Sequence, residues 1–115
     1  MAGSFSKIKL GVKIMSKAIT TLEGEILSAI EAMPTEFDTH QLILKLSREN
    51  QRAYVMALYE SDSDSPFQVV HSAIGKALKR ISLEPNARIR EMEPSSSSLN
   101  IFGEYSSCSI WAKLE

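Results

Sequence analysis

After Ile81 the chain changes its hydrophobic period from helical to alternating, and that change constrains the fold more than any other feature. From Leu22 to Ile81 most apolar residues recur every three or four positions, as on the buried stripe of a helix. From Ser107 they alternate instead: Cys108, Ile110, Ala112 and Leu114 are interleaved with Ser107, Ser109, Trp111 and Lys113, the pattern of a strand. A helical half followed by strands is the signature of an α+β domain. At 115 residues, with 43% apolar and 23% charged side chains, the chain is expected to build one core and one domain.

The helical half divides at its own punctuation. Leu22, Ile26, Ala29, Ile30 and Met33 form one stripe, with Thr20 and Glu23 spaced as a capping box and Pro34 as the stop, which predicts a helix from about Leu22 to Met33. Asp38 then stands as a cap, with Gln41 three residues on and Phe37 placed to staple onto Leu42. Leu42, Ile43 and Leu46 continue this second helix, and Ser47 to Asn50 reads as a polar break or kink. A helical stretch from Gln51 to Glu60 follows, with Tyr54, Val55, Leu58 and Tyr59 directed to the core; 39–60 is one kinked helix or two short ones. Ser65 caps and Pro66 opens a helix running to about Ile81, which is expected to bury Phe67, Val70, Ile74, Leu78 and Ile81. Gly75 in its middle costs about 1 kcal/mol against alanine, and close packing is the commoner reason for such a residue.

Beyond it, Arg88 to Glu93 is expected as an edge strand, and Ser95 to Ser98 as a flexible connection. Together with the strand at 107–114 they make a hairpin, whose long loop holds Leu99, Ile101, Phe102 and Tyr105. Residues 1–18 alternate at Ile8, Leu10, Val12 and Ile14 and are read as an N-terminal arm or strand preceding a domain at 19–115.

Charge is distributed unevenly although the total is only −1. Residues 1–22 carry +4, residues 31–64 carry −4, residues 66–90 carry +4, and the tail from Glu91 carries −3. A fold that gathers the basic segments would have a basic face. No apolar run approaches the roughly 20 residues of a membrane span, and no secretory signal is expected. The lone Cys108 fits a reducing, cytoplasmic setting and reads as a small core residue. His40, expected to be exposed, and His71, beside the core stripe, form no spaced metal motif with it, so neither a metal nor a cofactor is expected. Glycines at 3, 11, 24, 75 and 103 form no phosphate loop, the Asp62/Asp64 pair lacks the rest of a calcium loop, and no small-molecule substrate site is evident. The chain does not read as an enzyme.

Three to four helices followed by a C-terminal β-hairpin resemble the winged helix-turn-helix DNA-binding family over roughly Leu22 to Leu114. The carriers are the capped helix at Asp38, the helix from Pro66 to Arg80, and the terminal strand ending Ile110-Trp-Ala-Lys-Leu114. One departure is the long 48–65 segment: either an extra helix is inserted, or 51–60 is the first helix of the motif. The resemblance implies a small regulator or accessory factor reading double-stranded DNA with the helix 66–81 and a wing at 88–106. It places Gln68, Ser72 and Lys76 against bases, and Lys79, Arg80, Arg88 and Arg90 near phosphates. Ser95 to Ser98 would donate to phosphates at the wing tip or serve as a solvated loop. A winged-helix module that binds protein and not nucleic acid is the alternative. A homodimer would form through residues 8–14 or through Phe102 and Tyr105.

Overall fold

The computed structural model describes residues 20–114 as four helices and a three-stranded antiparallel sheet, an α+β chain. The expectations for residues 1–18 lie outside the described residues. Helix α1 occupies 20–31 and buries the anticipated Leu22, Ile26, Ala29 and Ile30. Thr20, anticipated as its cap, already lies within the helix. The helix closes with a tight turn from Ala32 N to Ala29 O and from Met33 N to Ile30 O ahead of Pro34. Lys113 Nζ donates to the carbonyls of Glu31 and Met33, both at 3.0 Å, so the sheet supplies a cation to that helix end.

A strand the sequence does not announce, β1 (Glu36–Asp38), leads directly into α2 (Thr39–Glu49). The capping box forms as the spacing requires: Gln41 N donates to Asp38 Oδ1 at 2.8 Å, and Asp38 N donates to Gln41 Oε1 at 2.8 Å. Phe37 is buried, and Leu42, Ile43 and Leu46 carry the core face of α2.

The stretch 39–60 is two helices. Asn50, at φ −125° and ψ 49°, breaks it, and its side chain donates to Glu25 Oε2 at 2.5 Å, which holds the break against α1. Helix α3 (Gln51–Glu60) buries Tyr54 and Ala57 and half-buries Leu58, but Val55 is 58% and Tyr59 80% exposed. The expected core face of α3 is therefore only partly right. The core takes the 54/57/58 edge and leaves Val55 and Tyr59 in solvent.

The turn at 61–65 leads to α4 (Pro66–Ser82), with Pro66 in the first turn as expected, although Ser65 makes no side-chain cap bond. Val70, Ile74, Ala77, Leu78 and Ile81 are buried; Phe67, expected among them, is 40% exposed because the core has run out at that end.

Strand β2 (Ile89–Leu99) includes the four serines, so the flexible connection expected at 95–98 is instead paired sheet. Ser96 to Ser98 face Cys108 to Ser106 on β3 (Tyr105–Lys113), and the register is interrupted between Met92 and Ser96, where Pro94 has no N–H to give a ladder. The connecting loop is tighter than expected. Asn100 Oδ1 accepts from Phe102 N (2.9 Å) and Glu104 N (3.1 Å), and Gly103 takes the left-handed φ of +78°.

The sheet order is β1-β3-β2. On β3 the expected phase holds only in part: Ala112 is buried and Ile110 half-buried as expected, but the dominant core residue comes from the other face. Trp111, opposite Phe37 and Glu91, is 1% exposed in the core, whereas Leu114 is exposed and Cys108 only half-buried. The burial of Phe37, Thr39 and Trp111 around the Asp38 cap predicts a measurable cost for losing it. Asp38→Ala should destabilise the domain by about 1 kcal/mol and Asp38→Asn by much less, read from urea midpoints.

Candidate functional site

Two surfaces carry the chemistry. The first is the solvent face of α4. Gln68, Ser72, Lys76, Lys79 and Arg80 are all exposed on it, and the buried stripe 70/74/78/81 faces the opposite way. Ala73 and Ala77 abut α1 beside Leu22 and Ile26, and small residues there let the two helices approach closely.

The seven anticipated residues are not gathered equally. Lys79 Nζ donates to Glu91 Oε1 of β2 at 2.5 Å, and Arg80 pairs with Glu23 of α1 at 2.7 Å. Arg88 pairs with Glu31, far along α1 from the exposed α4 face. Lys76 and Arg90 have no ion pair among the described residues. Arg90 stands opposite Ala112, one row from the Glu91–Trp111 row, so it leaves the sheet on the face away from α4. Gln68, Ser72, Lys76, Lys79 and Arg80 thus share a surface, while Arg88 and Arg90 do not join it. Lys79 donating to Glu91, with a further bond from Ser109 Oγ at 2.8 Å, holds the Glu91 carboxyl below the ordinary carboxylate value.

The second surface is a groove of about 700 Å³ between the first half of α4, the start of α2 and the hairpin end. Its aromatic wall is Phe67, His71 and Phe102: Phe67 meets Phe102 edge-to-face with centroids 5.2 Å apart, and His71 stacks on Phe102 at 6.1 Å. Behind them the Tyr54 hydroxyl shares a hydrogen bond of 2.6 Å with His71 Nε2. Burial pushes the Tyr54 hydroxyl up to about 12, so it keeps its proton throughout the neutral range. Burial, then the nearby His40, lowers the His71 imidazole below its ordinary value.

The opposite wall was not legible in the sequence. His40, expected to be exposed, is half-buried, with Nδ1 2.8 Å from Ser98 Oγ and Nε2 3.1 Å from Ser106 Oγ. Those two serines are cross-strand partners, so one imidazole clamps both strands of the hairpin to α2. Cys108 lies two residues along β3, its sulfur 3.8 Å from Ser98 Oγ. Ligand atoms of Asp38, His40 and Cys108 all fall within 4.8 Å of one another, bringing together the end of β1, the first turn of α2 and β3. Only the short Asp38-x-His40 spacing hinted at this; Cys108 is too distant in sequence to signal it. No helix among the described residues is long and apolar enough to cross a membrane.

Gly75 meets nothing: a methyl built on it would have no atom within 4 Å, so internal close packing is not its reason. Gly75→Ala should raise stability by about 0.5–1 kcal/mol, seen as a thermal midpoint higher by about 4 °C. The His71 environment has a pH consequence. Below about pH 6.5 the unfolded chain takes up a proton that the folded state resists, so the unfolded state binds more protons. Stability is then complete above that pH and falls as pH drops towards the lowered folded value. His71→Gln should flatten this fall in urea midpoints measured from about pH 7.5 to 5; equal slopes in both proteins would remove His71 as the cause.

No family model, curated protein or solved structure matches this chain, so its own residues carry the functional reading.

Proposed function

We propose that the chain is a small winged-helix DNA-binding protein, a transcriptional regulator or accessory factor. In this reading α4 enters the major groove and the β2–β3 hairpin is the wing. The supporting layout is α1-β1-α2-α3-α4-β2-β3 with sheet order β1-β3-β2, in which α3 and α4 flank the turn at 61–65 as the helical pair. One observation carries it: α4 leaves a continuous face uncovered, with Gln68, Ser72 and Lys76 on successive turns and Lys79 and Arg80 at its end. Gln68 offers the paired donor and acceptor that match adenine, and Lys76 reaches guanine or a phosphate.

The ion pairs of Lys79 and Arg80 do not close this face. Exposed pairs are worth about 0–1 kcal/mol, so either base can exchange its carboxylate for a phosphate at small cost. The exchange does reduce the net gain, and it makes the acidic partners Glu91 and Glu23 brakes on binding. A winged-helix protein-interaction module is the second reading, favoured by the exposed Val55, Met56 and Tyr59 on α3, an apolar patch that DNA would not cover.

Mobility shift against duplex DNA across a salt series separates the two. With three or four phosphates neutralised, log K should fall against log salt with a slope of about −3. Replacing Lys76, Lys79 and Arg80 together with alanine should abolish the shift while leaving the circular dichroism unchanged. Glu91→Gln, which releases Lys79, should tighten binding about two- to fivefold. Absence of any shift at low salt would leave the protein-interaction reading standing.

A further inference from the structure

We propose that Asp38, His40 and Cys108 form a binding site for a divalent transition-metal ion of the zinc class, built at the junction of β1, α2 and β3. The donor set is a carboxylate, an imidazole and a thiol, the mixture of oxygen, nitrogen and sulfur that suits zinc and excludes the all-oxygen preference of calcium and magnesium. All three residues are half-buried, and their ligand atoms already lie within 4.8 Å of one another. A tetrahedral ion with bonds of about 2.0–2.3 Å needs ligand atoms about 3.3–3.8 Å apart, so closure asks each side chain to move by about 1 Å.

The surroundings accommodate that movement. Asp38 uses Oδ1 to cap α2, and Oδ2 has no hydrogen-bond partner among the described residues, so the free oxygen can ligate without undoing the cap. His40 has a serine hydroxyl on each ring nitrogen. With Nδ1, on the Ser98 and Cys108 side, turned to the ion, Nε2 keeps the Ser106 hydroxyl that fixes the ring, the arrangement that orients histidine ligands and supports their basicity. Cys108 ligates as the thiolate, its proton passing to water, and its sulfur lies beside the Ser98 hydroxyl that the ion would displace. Three protein ligands leave a fourth position, and His40 and Cys108 both border the groove, so that position opens to it for a water or an incoming ligand.

The test uses the reduced full chain and cobalt as a spectroscopic stand-in. Cobalt titration should produce a thiolate-to-metal charge-transfer band saturating at one ion per chain, which zinc then displaces. Cys108→Ser should lose the band. His40→Gln, and Asp38→Asn with its cap retained, should each weaken binding at least about tenfold. Zinc should also raise the thermal midpoint of the native chain and not that of the Cys108→Ser variant. A native chain without the band overturns the proposal. So does a band whose affinity survives both His40→Gln and Asp38→Asn, since cobalt would then be held by Cys108 with other groups.

Discussion

The Trp111 indole N–H donates to Thr39 Oγ1 at 3.0 Å inside the core, and the rest of the domain is arranged around that bond. A buried indole must place its N–H on an acceptor or forfeit the cost of desolvating it. Thr39 can accept only because it is the first residue of α2, held there by the Asp38 cap and by β1 pairing with β3. Its own hydroxyl passes the bond on, donating to Ser109 O at 3.4 Å, two residues back along the strand that carries Trp111. One side-chain bond therefore fixes where α2 starts, which face of β3 turns inward, and how the hairpin lies on the helices. The groove and the Asp38–His40–Cys108 cluster are built from the residues next to it.

Electrostatically the molecule is close to self-compensating. Its basic segment at 76–90 meets acids drawn from elsewhere: Glu23 and Glu31 from α1, and Glu91 from β2. This is why a net charge of −1 coexists with a basic helix. It also localises the uncompensated positive charge of α4 at Lys76, while the flanking bases are available only in exchange for a carboxylate. A polyanion bound here would be gripped weakly by long-range attraction and would depend more on contacts from Gln68 and Ser72.

How much was legible follows from where each signal resides. The α2 cap and the core stripe of α4 were readable because capping and helical periodicity are local, fixed by residues within a few positions. The strand β1 was not, since three residues carry no period and become a strand only by pairing with β3. Serines 95–98 look like a loop by composition, but β3 supplies ladder partners to Ser96, Ser97 and Ser98, and His40 supplies a bond to Ser98. Val55 and Tyr59 misled because hydrophobicity alone does not say which edge of a short helix faces the core. Trp111 misled in the opposite sense: the alternation 108/110/112/114 is real and buries Ala112, but the larger side chain on the other face took the centre of the core. Of the candidate site, residue types on α4 were readable, whereas the ion pairs and the His40 clamp depend on contacts across tens of residues.

The register interruption in the hairpin has an arithmetic consequence. From Met92 to Ser96 β2 advances four residues while β3 advances two, from Ile110 to Cys108. Residues paired across a ladder face the same side whatever is looped out between them, so β3, unbroken from Ile110 to Cys108, dictates that Ser96 and Ser98 emerge on the side of Met92. The surplus around Pro94 is absorbed on β2 alone, and which serine meets His40 is decided by the strand opposite, not by the residues that precede it.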